Sequence, residues 1–266
     1  MISELFSIET AGLMAAAGFI VGLLVGMTGV GAGALTTPML ISGFGIAPAV
    51  AVGTDLLFAG LTKSGGAWRH HSLGHVNWPI LGALAAGSIT ATLLTLAALY
   101  HLGSGQGDIG QLIRPVLAFS LLISAIAVPV IPLMITRSLE APTRPLKMRP
   151  LATMSFGLVL GVVVTLTSVG AGAIGVAVLT LLYPMLRPRH IVGTDIVHAV
   201  PLTLLSGLGH MSVGHIDFAV LGTLLIGSLP GIMIGSRLTS SLPDWLLRLV
   251  LSAVLGWAAF LVATKF

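Results

Sequence analysis

The chain of 266 residues is 56% hydrophobic and only 8% charged, with a mean hydropathy of +1.07 and a formal net charge of +4. Soluble domains carry roughly 25% charged residues, so this composition excludes one and specifies an all-α polytopic membrane protein, with residues 1–266 forming a single integral-membrane domain. No cysteine is present, which excludes disulfides, thiolate metal sites and cysteine nucleophiles; the basic residues fall between apolar segments with no stacking platform, the signature of membrane orientation and not of nucleic-acid binding.

Met1 to Thr10 carries Glu4 and Glu9 but no Lys or Arg, the wrong charge for a cleaved signal peptide, so the first apolar run is expected to be retained. A spanning helix needs about 20 apolar residues. By that measure about ten segments follow in order: 11–27, 33–45, 47–67, 78–101, 112–136, 151–168, 172–186, 190–208, 218–238 and 243–264. The second and seventh are too short to span untilted, and each directly follows a glycine-rich break. Arg137, Arg144, Lys147 and Arg149 place the 137–150 linker in the cytoplasm. Alternation then puts Arg69, Arg187, Arg189 and Arg237 inside, and both termini, the 103–111 loop and the 209–217 loop outside.

The chain repeats itself. With an offset of about 139, Gly22, Thr28, Val30, Gly31, Ala32, Gly33 and Ala34 match Gly161, Thr167, Val169, Gly170, Ala171, Gly172 and Ala173. One inserted residue later, Pro48, Gly53, Thr54 and Asp55 match Pro188, Gly193, Thr194 and Asp195, and further on His70, Gly74 and His75 match His210, Gly214 and His215. Repeat one covers 11–136 and repeat two 151–264. Each holds an odd number of segments, so the second enters the membrane from the opposite face, the inverted-repeat plan in which substrate sites form where discontinuous helices meet.

The breaks, residues 26–34 and 167–173, cost helix stability, and in lipid their freed amides need a partner. A half-helix starting near Ala34 or Ala173 aims its N-terminal amides and positive dipole end into the break, which suits an anion. The candidate substrate-binding set is Thr28, Gly29, Val30, Gly31, Ala32, Gly33 and Thr36 from repeat one and Ser168, Val169, Gly170, Ala171 and Gly172 from repeat two, with Thr54 and Thr194 beside them. The competing reading is close helix packing through small residues. A nucleotide loop is excluded, since the glycines follow no strand and no Gly-Lys-Ser/Thr closes them.

Charge inside the spans points to Asp55, Asp195, Lys63 and His198 as coupling or charge residues. The two aspartates lie ~10 Å into the membrane, where they either carry a coupling proton or cap the broken-helix amides. Lys63, expected as the single full positive charge within a span, is ~12 Å along the helix from Asp55 and cannot pair with it directly; it faces the cavity, pairs elsewhere, or snorkels toward Arg69. His198, matched by Phe58 in repeat one, is a coupling candidate or a helix-contact histidine. His70, His71, His75, His210 and His215 are expected at segment ends, interfacial alongside Trp68, Trp78 and Phe218. The five-residue spacing of His70 with His75 and of His210 with His215 fits no zincin helix, so no metal and no cofactor are expected. Ser72 near His70 or His75 lies at the water interface without an oxyanion element, so no catalytic residue is assigned and the protein is not expected to be an enzyme.

Residues 29–38 (Gly-Val-Gly-Ala-Gly-Ala-Leu-Thr-Thr-Pro), 51–55 (Ala-Val-Gly-Thr-Asp) and 74–78 (Gly-His-Val-Asn-Trp), with 168–173, 191–195 and 214–218 in the second half, resemble the signature of the TauE/SafE sulfite exporter family. The chain departs from the usual pattern at Ala32 and Ala34, where a glycine and a small polar residue are more common, and at Asn77, where Asp is usual. The resemblance implies a multi-pass transporter of the bacterial inner membrane whose partners are the lipid bilayer and a small sulfur oxyanion or organosulfonate, such as sulfite, thiosulfate or sulfoacetate. It leaves the particular anion, the direction of transport and the oligomeric state open. An alternating-access carrier, with Asp55 or Asp195 available for protonation, is the expected mechanism; an anion channel on the same scaffold is the alternative.

Overall fold

A computed structural model describes residues 8–28, 31, 33–103, 109–139, 148–238 and 243–265. Among these the chain forms ten helices and no strand: α1 (Ile8–Thr28), α2 (Gly33–Phe44), α3 (Pro48–Ser72), α4 (Trp78–Gly103), α5 (Ile109–Leu139), α6 (Pro150–Thr167), α7 (Ala173–Leu182), α8 (Pro188–Ser212), α9 (Phe218–Leu238) and α10 (Asp244–Lys265). Seven of them, α1, α4, α5, α6, α8, α9 and α10, are long and apolar enough to cross a membrane. The 25-residue α3 has the length but carries Asp55, Lys63 and Arg69. Helices α2 and α7, 12 and 10 residues long, are the short elements expected after the breaks.

The helix ends follow from local chemistry. Pro48, Pro150 and Pro188 open α3, α6 and α8 at a position where no amide partner is needed. α3 and α8 run four or five residues beyond their expected ends and stop in twin Schellman motifs. His75 N–H reaches His70 O and Gly74 N–H reaches His71 O, both at 3.0 Å, while His215 reaches His210 at 3.0 Å and Gly214 reaches Met211 at 3.1 Å. Gly74 and Gly214 adopt φ of 67° and 75°, the left-handed conformation that this motif needs and glycine takes without strain. Asn77 and Asp217 then cap α4 and α9: Asn77 Oδ1 accepts from Ile80 N–H at 3.2 Å, and Asp217 Oδ1 from Ala219 N–H at 2.9 Å and Val220 N–H at 3.1 Å. The Asn77 departure is therefore harmless, because Asn and Asp cap equally well.

The helices pack in pairs. α1 lies along α9 as α6 lies along α4, α2 meets α10 as α7 meets α5, and α3 lies along its own counterpart α8. Gly18, Gly22 and Gly26 of α1 face the α9 backbone, and Gly227, Gly231 and Gly235 of α9 return the contact, small-residue stripes of the kind that let membrane helices approach closely. The surface is apolar, with Leu13, Phe119, Ile126, Ile226 and Trp257 exposed, whereas Thr36, Thr37, Asp55, Thr165, Asp195 and His198 are buried. That arrangement is inverted relative to a soluble protein and matches lipid outside and function within.

Candidate functional site

The glycine breaks meet. α1 ends at Thr28 and α2 begins at Gly33; α6 ends at Thr167 and α7 begins at Ala173. Gly33 stands so close to Ser168 that a β-carbon there would strike the Ser168 carbonyl and hydroxyl, and Gly31 stands beside both the Lys63 ammonium and the Ala171 carbonyl. Gly172 backs onto the Gly31 amide. Gly31, Gly33, Ser168, Val169, Gly170 and Ala171 are buried. Gly29, Val30 and Ala32 of the expected set lie outside the described residues.

The second break is held by backbone geometry. Ser168, in the left-handed conformation at φ 60°, caps α6 with its N–H on Val164 O at 2.8 Å, and Gly170 and Gly172 follow at φ 128° and 123°. Only glycine tolerates the latter two. Val169 N–H donates to Thr167 Oγ1 at 3.1 Å, which closes the turn.

Lys63 joins the two halves. Its Nζ donates to Ala171 O at 2.9 Å, 108 residues away, so it neither snorkels nor pairs with an acid. The ammonium nevertheless lies within electrostatic reach of both Asp55 and Asp195. Asp55 Oδ2 accepts from Thr37 Oγ1 at 2.5 Å, with the Thr36 and Ser168 hydroxyls close by. The Asp195 carboxylate lies against Gly175 in the first turn of α7, near the Gly172 amide. Each aspartate thus serves the short helix of its own repeat. Thr37→Val, nearly isosteric, is expected to lower stability by about 2 kcal/mol by stripping a buried carboxylate of its donor; thermal unfolding in detergent checks it, and an unchanged midpoint would remove the bond from the account.

Other expected residues bond away from the centre where the breaks meet. Thr54 Oγ1 accepts from Asp217 N–H at 3.0 Å and Thr194 Oγ1 from Asn77 N–H at 2.9 Å. Both threonines hold α3 and α8 to the cap of the opposite repeat, next to Gly53 and Gly193, which admit the carbonyls of His215 and His75. Thr28 Oγ1 donates to Leu24 O at 2.7 Å. His198 Nε2 lies 2.7 Å from Ser88 Oγ, on the α4 side of α8. His210, expected at the interface, is instead fully buried with Nε2 on Thr165 O at 2.9 Å, because α8 continues to Ser212. His215, in the turn after α8, is half-buried, and loss of water contact pushes its pKa down.

Lys63 is not the single cation within the spans. Arg114 of α5 and Arg248 of α10 occupy matching places in the two repeats and are half-buried. Arg248, with Met27 and Thr28 at the end of α1, lines a cavity of about 50 Å³. Alignment of Leu-Ile-Arg at 112–114 with Leu-Leu-Arg at 246–248 was the signal available for finding them.

No group of three or more His, Asp or Glu side chains among the described residues is arranged to hold a metal ion. The arrangement offers an anion two half-helix N-termini, one ammonium and several hydroxyls, with two carboxylates that must be accommodated at the same centre.

The Sulfite exporter TauE/SafE family model matches residues 14–262. Among curated proteins, the chain is 36% identical over 212 residues to the probable membrane transporter protein YjnA of Bacillus subtilis (strain 168), covering 78% of this chain and 82% of that one. It is 25% identical over 219 residues to the probable membrane transporter protein YdhB of the same organism, covering 78% and 81%. A shorter match, 39% identity over 70 residues and 26% of each chain, links it to the probable membrane transporter protein YunE. No solved structure matches. With nearly the whole helical bundle inside the match, the chain belongs to the TauE/SafE sulfite exporter family of membrane transporters.

Proposed function

We propose that the protein is a secondary transporter that moves a small sulfur-containing anion, such as sulfite, thiosulfate or an organosulfonate, across the bacterial inner membrane by alternating access, with proton coupling. The termini and the α4–α5 and α8–α9 connections face outward in this reading, and the repeats are inverted about the membrane plane. The observation that carries it is the convergence of two helix breaks from different repeats on the Lys63 ammonium. An oxyanion is well served by several amides and hydroxyls with a single cation, a set strong enough to select and weak enough to release. Rocking one repeat against the other opens such a centre to either face in turn.

Charge balance supplies the coupling. Lys63, Asp55 and Asp195, all ionised, sum to −1, and adding an anion to a buried centre of that charge is costly. Protonating one or both carboxylates as the anion binds removes the penalty, so proton and anion travel together. Purified protein in liposomes tests this with sulfite, thiosulfate and sulfoacetate as substrates: saturable counterflow of at least one, accelerated by an acidic donor compartment, is expected. Failure of all three to move or compete overturns the substrate class, and single-channel currents would replace the carrier with a pore.

A further inference from the structure

The repeats share their ends, Asp55 with Asp195, His70 with His210 and His75 with His215, but differ between them: α3 carries Lys63, turned to the Ala171 carbonyl, whereas α8 carries a line of buried polar groups that continues onto α4 and α6. On α8, Asp195, His198, Ser206 and His210 fall on one helix face, each no more than 1% exposed. Ser88 and Thr92 of α4 and Thr165 of α6, all fully buried, face them. His198 Nε2 bonds Ser88 Oγ at 2.7 Å, and Thr165 Oγ1 bonds Thr92 Oγ1 at 3.1 Å and Ser206 Oγ at 3.0 Å. In the other repeat the positions of His198, Ser206, Thr165 and Thr92 are held by Phe58, Gly66, Gly26 and Ile232. Burying six or more polar side chains in a membrane interior has a cost that pure packing does not require, and Phe58 demonstrates that an apolar residue fits the equivalent place.

Protonation states follow from the bonds. A carbonyl can only accept, so His210 donates its Nε2–H to Thr165 O at 2.9 Å and the neutral ring keeps a lone pair on Nδ1. That Nδ1 is buried and has no partner among the described residues; the same holds for His198 Nδ1, and the Asp195 carboxylate, near the Gly172 amide, makes no hydrogen bond of ordinary geometry. The His210 ring lies 5.6 Å from that of half-buried His215, in the turn between α8 and α9.

We propose that this seam is a one-sided proton path from the α8–α9 face to Asp195, the proton branch of the transport cycle; it rests on the transporter reading above. Water at His215 delivers a proton to His210 Nδ1; the Nε2–H that the ring then gives up lies on the Thr165 carbonyl, so one bridging water carries it to the Thr165 hydroxyl, and Thr165, Ser206, Thr92 and Ser88 pass one proton inward, each accepting and releasing in turn. His198 delivers it to the Asp195 carboxylate, which becomes neutral and returns to charge when it releases the proton to the opposite face. Ser88 and Thr92, like Asp195 and His198, are one helical turn apart, ~6 Å or less along the axis, a gap that one bridging water spans. The charged group acting on the inner end is Lys63 of α3, which Asp55 of the same helix also faces, and Gly175 of α7 adds none. α6 carries no titratable residue, and α4 only Tyr100 and His101, exposed at its end. The two repeats therefore differ in what they conduct although they match in shape, and proton and anion enter the centre by different routes.

The test uses the full chain in liposomes loaded with a pH-sensitive dye, sulfite, thiosulfate and sulfoacetate as probes, and counterflow at equal pH as a parallel readout. The Thr92→Val, Ser206→Ala double variant is expected to lose net proton-coupled anion uptake by about tenfold or more, while exchange counterflow, in which Asp195 keeps its proton, stays within about twofold of wild type. His198→Phe, which copies the other repeat, is expected to lose proton uptake as well. Should the double variant not fold, Ser88→Ala carries the same expectation for proton uptake. Wild-type proton uptake in His198→Phe or in the double variant overturns the seam, as does wild-type anion counterflow with no proton movement. Absence of any anion movement in the wild type instead overturns the transporter reading.

Discussion

Lys63→Met is expected to reduce anion flux by about 100-fold or more, equivalent to roughly 2.7 kcal/mol, while the protein remains folded and monodisperse. Methionine keeps the length of the stem and removes the charge. In its absence the two aspartates face an incoming anion with nothing of opposite sign at the centre, and the Ala171 carbonyl loses its donor. Lys63→Arg is expected to fail nearly as badly: Gly31 lies directly against the ammonium, and a planar guanidinium needs space that a compact ammonium does not. Kinetics separate a substrate role from a structural one. Loss of substrate contact raises KM with little change in thermal midpoint, whereas loss of the strut to Ala171 lowers midpoint and flux together. Wild-type flux in Lys63→Met would remove the cation from the mechanism and with it the charge-balance case for coupling.

That residue also marks where sequence reading reaches its limit. Its eight-residue spacing from Asp55 correctly denied a direct pair, but its partner is a backbone carbonyl in the other repeat, and no local pattern encodes a carbonyl. The ten helices, including the two short ones after the breaks, were legible because apolar length and glycine content are local properties. So was the internal sequence recurrence, since Gly53, Thr54 and Asp55 return as Gly193, Thr194 and Asp195. What the motif does was not legible. Thr54 and Thr194 read as substrate-binding candidates beside the breaks; each also accepts from the α9 or α4 cap across the chain, a role that exists only once α3 and α8 lie side by side. His210 illustrates the same limit: its place near a segment end suggested the water interface, and only the extra turn ending at Gly214, packed against α6, buries it.

Gly33→Ala is expected to be among the most damaging single-methyl changes in the chain, lowering stability by up to about 3 kcal/mol and abolishing transport. In an ordinary helix the same change stabilises by about 0.5–1 kcal/mol. Gly222, in α9, has nothing within 4 Å of a β-carbon, so Gly222→Ala supplies that baseline in the same protein. At Gly33 the added carbon meets the backbone oxygen of Ser168, which cannot turn aside as a flexible side chain would. Ser168 cannot retreat either: it is the non-glycine residue with positive φ among those described, and its N–H is committed to capping α6. The strain must move α2 instead. Thr37, four residues into α2, would be drawn off Asp55, leaving that carboxylate buried with weaker support. A methyl group at the first residue of α2 is thus transmitted to the charge centre through one rigid short helix. Thermal midpoints of Gly33→Ala and Gly222→Ala, measured side by side with sulfite flux, decide the matter: equal midpoints would mean that the breaks do not press on one another, and the convergent site would be lost with them.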